Sequence, residues 1–500
     1  MNLNRSSGVL LHPSALPNQS GIGDFGSEAY NFIDFLVELK QAYWQILPLT
    51  IPEKGNSPYS PLSSFAGNPL LISLDELVKD NLLEASDLQN ISKFSENINF
   101  SIVKEEKEYL LRKAFSNFSP ISQEYKNFCH HHWLEDYALF ISLYEKHGKR
   151  SWDQWSKQER NPDQEEKRQL IREHKEEIGY HKFVQFIFFQ QWTKLKDYAN
   201  QHKIQIIGDI PIYVSYNSAD VWANKNLFQL DDNAQPQYIS GCPPDDFNHD
   251  GQIWENPLYD WEVNQQTNYQ WWQERIRYNL QICDVLRLDH FIGFTRYWSI
   301  PTDLYDAKQG QWKEGPGKAF FQVLGDSIPN LNLIAEDLGS LTQEVTDLKD
   351  EFNFPGMIVL QYAIDDYEFN KANYPHKTFI YTGTHDNNTS KGWWKEYAHS
   401  NDLIKDNLVT YLTQLRDNHD FIIDQETITY DLIEIAYASN CLVAVVPMQD
   451  ILNLDQEYRM NRPGVATGNW GIRLPQDYLS LVDTSKILAL LRKYLRDINS

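Results

Sequence analysis

The sequence predicts an α/β protein built as a (β/α)8 TIM barrel with inserted subdomains, one of them largely helical. Three observations carry that prediction. Eight short apolar runs recur along the 500 residues, each ending in polar residues or glycine. Several are separated by stretches of helical periodicity. Charged side chains gather at the ends of the runs, where barrel strands open on one mouth. A doubly wound open sheet is the competing architecture.

In chain order the runs are SGVLLHP (7–13), YWQILPL (43–49), IQIIGDI (204–210), CDVLRLD (283–289), LNLIAED (331–337), GMIVLQY (356–362), KTFIYTG (377–383) and CLVAVVP (441–447). Runs that are apolar throughout read as parallel strands buried on both faces. After the first run, SEAYNFIDFLVELK puts Tyr30, Ile33, Leu36 and Val37 on one helical face, with Ser27 as the expected N-cap. About 150 residues separate the second run from the third. That interval is charged, helix-prone and poor in Gly and Pro, and reads as a mostly helical insertion over 75–203. The segment after the third run, 212–265, is rich in Asn, Pro, Gly and Trp and reads as a loop-rich insertion covering the active site. Residues 1–500 read as one catalytic barrel unit. After VPMQD at 446–450 only about 50 residues follow, too few for a C-terminal β-sandwich.

Composition narrows the function. Aromatics make up 14% of the chain, enough for a large core and for flat faces on which sugars stack. The net charge of −24 argues against nucleic acid or an anionic membrane and suits a neutral substrate. The four cysteines, Cys129, Cys242, Cys283 and Cys441, form no CxxC pair, so neither a disulfide framework nor a zinc site is expected. The first residues lack a basic segment followed by a long apolar one, and no run is long enough to span a membrane. A cytoplasmic protein is expected.

The stretch CDVLRLDHFIGF (283–294) breaks an apolar run with Arg287 and then Asp289. Residues two apart in a strand share a face, so both point into whatever the strand lines. Glu336 ends the fifth run, and His385 with Asp386 follows the seventh. Gathering Asp289, Glu336 and Asp386 at one mouth is costly unless the charges are used. Asp209, at the end of the third run, reads on its own as a cap for the next helix. Glycosidic-bond chemistry requires one ionised carboxylate and one protonated one. Arg287 beside Asp289 favours its ionised form, and Glu336, with no arginine near it in sequence, is the better proton donor. On sequence alone both assignments of those roles stay open.

The segments RLDHF (287–291), IAEDLG (334–339) and GTHDNNT (383–389) resemble the three catalytic segments of the α-amylase superfamily. RSSGVLLHPSALP (5–17), GNSPYSPLSSFAGNPLLIS (55–73), GDIPIYV (208–214), GCPPDDFNHDGQIWENPLYDW (241–261) and VPMQD (446–450) narrow the resemblance to 4-α-glucanotransferases of the amylomaltase type. The resemblance implies Asp289 as nucleophile, Glu336 as general acid/base and Asp386 as the third carboxylate. Arg287 and His385 help Asp386 grip the reacting sugar. It also implies substrate contacts from Tyr59 and Ser57, from Asp245, Gln252 and Trp254 on a covering loop, and from Asn461 on the opposite side. GNWGIR (468–473) departs from the more aromatic and basic form of the family at Asn469 and Trp470. The implied reaction is a retaining double displacement on α-1,4-glucans, with carboxyl groups about 5–5.5 Å apart. Malto-oligosaccharides, amylose or glycogen-derived glucans are the implied partners, with no cofactor and no metal. A glucan hydrolase and a non-catalytic glucan-binding protein are the alternatives; the complete carboxylate set speaks against the second.

Three other motifs read as structural. GIGDFG (21–26) fits GxGxxG but follows a proline-broken loop instead of a strand. The consecutive His130, His131 and His132 point to different sides of a helix and read as a solvated surface. The acidic pairs in PDDF and AIDDYE lack the pattern of a calcium loop.

Overall fold

The computed structural model describes residues 4–91, 95–244, 249–339, 341–369, 374–418 and 420–497. All eight apolar runs supply strands: β1 (Ser6–Leu10), β2 (Tyr43–Gln45), β3 (Gln205–Ile210), β4 (Val285–Leu288), β5 (Leu333–Ala335), β6 (Gly356–Val359), β7 (Thr378–Tyr381) and β8 (Val443–Pro447). They pair in parallel, in the order β6-β7-β8-β1-β2-β3-β4-β5. Sequential neighbours pair from β1 to β5 and from β6 to β8, and β8 returns to β1, so the sheet curls into a barrel. At the remaining seam, Ala335 N–H donates to Pro355 O at 2.9 Å, and Met357 N–H donates to the Asp337 carboxylate at 2.7 Å.

Strand alternation sorts the side chains. Leu10, Tyr43, Ile207, Val285, Ile334, Met357, Phe379, Tyr381, Val443 and Val445 form a buried cluster inside the barrel. Their neighbours Ile206, Leu286, Ile380 and Ala444 belong to the larger core shared with the helices. A buried hydrogen bond from Tyr381 OH to Gln45 Oε1, 2.9 Å, crosses the interior. At Gly8, a Cβ would lie 2.6 Å from Tyr43 Cβ, so β1 and β2 approach this closely only with glycine there.

The first helix, Ser27–Glu38, buries Ala29, Phe32, Ile33, Phe35 and Leu36, with Tyr30 and Val37 at the edge of the face. Ser27 lies inside it and does not cap it. Gly26 is the N-cap, in a gap where a Cβ would come within 2.7 Å of Ser73 Oγ.

Between β2 and β3 run the helices Phe100–Asn117, Leu134–Lys146 and the 27-residue Lys175–Gln201. The last leads straight into β3, and its Trp192 Nε1–H donates to Ile282 O at 2.9 Å. Two buried glutamines on this helix hold the chain that carries Tyr59. Gln185 accepts from Gly67 N–H at 2.7 Å and donates to Gly67 O at 2.9 Å. Gln191 does the same with Ser73, at 2.7 and 3.1 Å.

A second, antiparallel sheet has the order Gln252–Pro257, Tyr238–Cys242, Arg296–Pro301, Gln311–Glu314. Two of its strands lie in the segment read as loops, and the other two follow β4. His130–His132 form a turn between the helices Gln123–Phe128 and Leu134–Lys146, not a helical surface. The His131 ring lies 5.9 Å from that of Tyr278, and His132 Nε2 is 3.2 Å from Glu274 Oε2.

Candidate active site

The site grows from β4. Arg287 and Asp289 share the inward face, and in the β3–β4 register Arg287 stands opposite Asp209. Its Nη1 donates to both Asp209 oxygens, at 2.9 and 2.7 Å, and to Asp289 Oδ1 at 2.9 Å. The Arg287 and Asp209 side chains are 5% and 0% exposed, while Asp289 keeps 29%. Burial disfavours the guanidinium charge, but Asp209 and Asp289 more than offset this and keep it protonated. The ion pair leaves Asp289 open to the mouth and Asp209 sealed beneath it.

Asp209 is therefore no helix cap. The helix after β3, Ala219–Ala223, is capped by Ser218, and Asp209 also accepts from Tyr59 OH at 2.7 Å. Burial pushes Asp209 up to about 6 against the pull of Arg287. The signal was present in the sequence: Asp209 shares strand parity with the inward Ile207, the same argument that placed Arg287 and Asp289.

Glu336 follows β5 and is partly buried. Its Oε2 accepts from His290 N–H at 2.7 Å, and its main-chain O accepts from Phe291 N–H at 3.1 Å. Burial pushes Glu336 up to about 8, with Arg287 pulling down and Asp289 pushing up. An arginine remote in sequence is thus in reach, yet desolvation wins and the carboxyl holds its proton at neutral pH.

Asp386 follows β7 and is 41% exposed. Asn461 Nδ2 donates to its Oδ1 at 2.6 Å, and His385 Nε2 lies 3.4 Å from its Oδ2. Arg459 Nη2 donates to Asp386 O at 2.6 Å, and Asn461 N–H donates to His385 O at 3.1 Å, so both bind this corner. The Tyr59 ring stacks on His385 at 4.8 Å and 11°, and Trp470 closes the group at 5.8 Å from Tyr59. Arg459 and Trp470 were not read as site residues. Their contacts with Asp386 and Tyr59 cross 73 and 411 positions of chain, beyond any local pattern.

The remaining predicted residues separate. Trp254, on the strand Gln252–Pro257, packs edge-on against the His290 ring at 4.8 Å and 89°. Its Nε1–H donates to Gln252 Oε1 at 3.0 Å, so both lie on the Glu336 side of the mouth. Ser57 Oγ accepts from Tyr59 N–H at 3.3 Å and shapes the turn under that ring. Asp245 lies outside the described residues.

Among the described residues one group has ligand atoms close enough to share a metal ion: Glu145, Glu177 and His181, within 4.8 Å of one another. Arg112 already engages it, with two nitrogens at 3.2 and 3.0 Å from the Glu177 oxygens. The group sits among the helices between β2 and β3, apart from the carboxylates at the mouth.

Residues 11–479 match a family model described as 4-alpha-glucanotransferase. The 4-alpha-glucanotransferase of Synechocystis sp. is 43% identical over 490 residues, 95% of each chain. That of Thermus thermophilus is 38% identical, over 98% of this chain and 99% of its own. The structure of an amylomaltase from Streptococcus agalactiae in complex with acarbose matches with a TM-score of 0.92 at 35% identity, covering 99% of this chain and 100% of the other. An amylomaltase from Corynebacterium glutamicum shares the fold at a TM-score of 0.79 and 17% identity, covering 97% of this chain and 75% of the other.

Proposed function

This chain belongs to the 4-alpha-glucanotransferase family and transfers glucan segments, and from that premise we propose how its side chains divide the work. Asp289 attacks the anomeric carbon of an α-1,4-glucan. Glu336 gives its proton to the departing glycosidic oxygen, and the fragment beyond the cleaved bond leaves. A β-linked glycosyl–Asp289 ester remains. Glu336, now a carboxylate, removes the proton from the 4-hydroxyl of an incoming glucan as that oxygen displaces Asp289. Two inversions return the α configuration.

One observation carries this division: the two carboxylates have opposite surroundings. Asp289 is ion-paired to Arg287 at 2.9 Å. Glu336 is driven to about 8 by burial. That contrast suits a nucleophile beside a proton donor. Asp386, oriented by Asn461, is suited to grip sugar hydroxyls, with His385 and Tyr59 bordering the same glucose.

Transfer outruns hydrolysis when water is kept from the ester. Trp254 and Gln252, beside His290, support a lid over the acid side, and segment 212–265 is the insertion that would carry it. The mostly helical 75–203 would brace the barrel or widen the groove. Malto-oligosaccharides and amylose or glycogen fragments are the proposed substrates, in a cytoplasmic setting of carbohydrate metabolism, with no metal in the reaction. The test is pure maltotriose without additives. A ladder of longer oligomers plus glucose supports the proposal. Glucose and maltose alone would make the chain a hydrolase and remove the lid's role.

A further inference from the structure

A residue next to the nucleophile holds a backbone conformation that side chains with a Cβ rarely adopt. His290 has φ 52° and ψ 52°, in the left-handed region. That turn aims two successive N–H groups at one residue. His290 N–H meets Glu336 Oε2 at 2.7 Å, and Phe291 N–H meets Glu336 O at 3.1 Å. The His290 ring is wedged against the rest of the site. Trp254 meets it edge-on at 4.8 Å, and a Cβ on Gly293 would come 3.2 Å from its Cδ2. Burial takes His290 down to about 4, so a neutral imidazole supplies shape here and no charge.

We propose that His290 is a positioning residue that ties the lid to the acid/base: Trp254, seated on its ring, holds the left-handed turn that keeps its N–H on Glu336. The inference rests on reading Glu336 as the acid/base. A donor on Oε2 favours the carboxylate over the acid and so opposes burial. The bond thereby keeps Glu336 able to give up its proton and then act as a base. The other titratable and charged groups facing Glu336 are Arg287 and Asp289 on the β4 side, Asp337 beside it and Tyr362 after β6. None belongs to the strand Gln252–Pro257. The Trp254–His290 contact gives that strand a route to Glu336.

The test is the pH profile of kcat/KM for maltotriose transfer in the wild type, His290→Val, His290→Asn and Trp254→Ala. Asparagine enters the left-handed region readily and keeps the N–H in place, whereas β-branched valine resists it. His290→Val is expected to move the basic limb up by about one pH unit, the effect of losing a hydrogen bond to a charged group. His290→Asn restores the limb. Trp254→Ala moves it in the wild type but not in the His290→Asn background. An unmoved limb in His290→Val, or an equal shift in His290→Asn, overturns the proposal. Thermal melts check folding, and if His290→Val does not fold, an unmoved limb in Trp254→Ala overturns the proposal instead. Glu336→Gln separates the two levels. Full activity in that variant would sink the reading of Glu336 itself, while an inactive Glu336→Gln with an unmoved His290→Val limb sinks only the role of His290.

Discussion

Replacing Glu336 by glutamine should abolish transfer and yet make the folded chain more stable, increasingly so as the pH rises. Burial takes Glu336 from its ordinary 4.5 to about 8. Between those values the folded chain keeps a proton that the unfolded chain has already released. The native state binds more protons there, so stability is intact below about pH 4.5, falls as the pH rises, and levels off above about 8. At pH 7 the gap from 4.5 is about two and a half pH units, at about 1.4 kcal/mol each, or about 3–4 kcal/mol of native-state cost. Glutamine carries no proton to lose, and its amide oxygen can still accept from His290 N–H. Urea unfolding of both proteins at pH 4.5 and pH 7 reads the effect directly. Similar midpoints at pH 4.5, with the variant more stable at pH 7, are expected. A pH-independent difference, or a wild type that gains on the variant as pH rises, would refute burial as the origin of the raised value.

Arg287→Met leaves Asp209 buried without its cation. We expect a loss of about 3–5 kcal/mol in stability together with loss of transfer, measured by thermal melts and product analysis. Trp254→Ala should raise the share of hydrolysis over transfer in maltotriose digests; an unchanged ratio would remove it from the lid. A metal chelator should leave activity unaltered, and activity lost to chelator and restored by calcium would contradict a metal-free site.

Much of this was legible because parallel barrel strands are apolar throughout and alternate with a period of two. That period alone put Arg287 and Asp289 on one face, and the structure adds the reason both can be there: each charge is the other's partner. Asp209 obeyed the same parity but was read locally, as a cap, because its partners Tyr59 and Arg287 lie 150 and 78 positions away. The antiparallel sheet escaped notice for another reason. Its strand Gln311–Glu314 is four exposed residues, QWKE, with no apolar face to betray it. It is held by cross-strand contacts such as Trp298 with Trp312 at 5.2 Å. Tyr59, Asn461 and Trp254 were reached through family resemblance, since no local pattern marks residues that meet only when a barrel closes. In the sequence His290 stands only as part of a motif, because its hydrogen bond comes from the backbone and the left-handed turn that aims it leaves no local pattern.

The covalent role of Asp289 can be tested by trapping its glycosyl ester. Glu336→Gln would be incubated with a maltosyl fluoride, whose leaving group needs no acid, then digested and its peptides mapped by mass spectrometry. A glycosyl ester is expected on the peptide containing Asp289, absent in the Glu336→Gln/Asp289→Ala double variant. An ester on another carboxylate, or fluoride release with inverted product and no adduct, would contradict it.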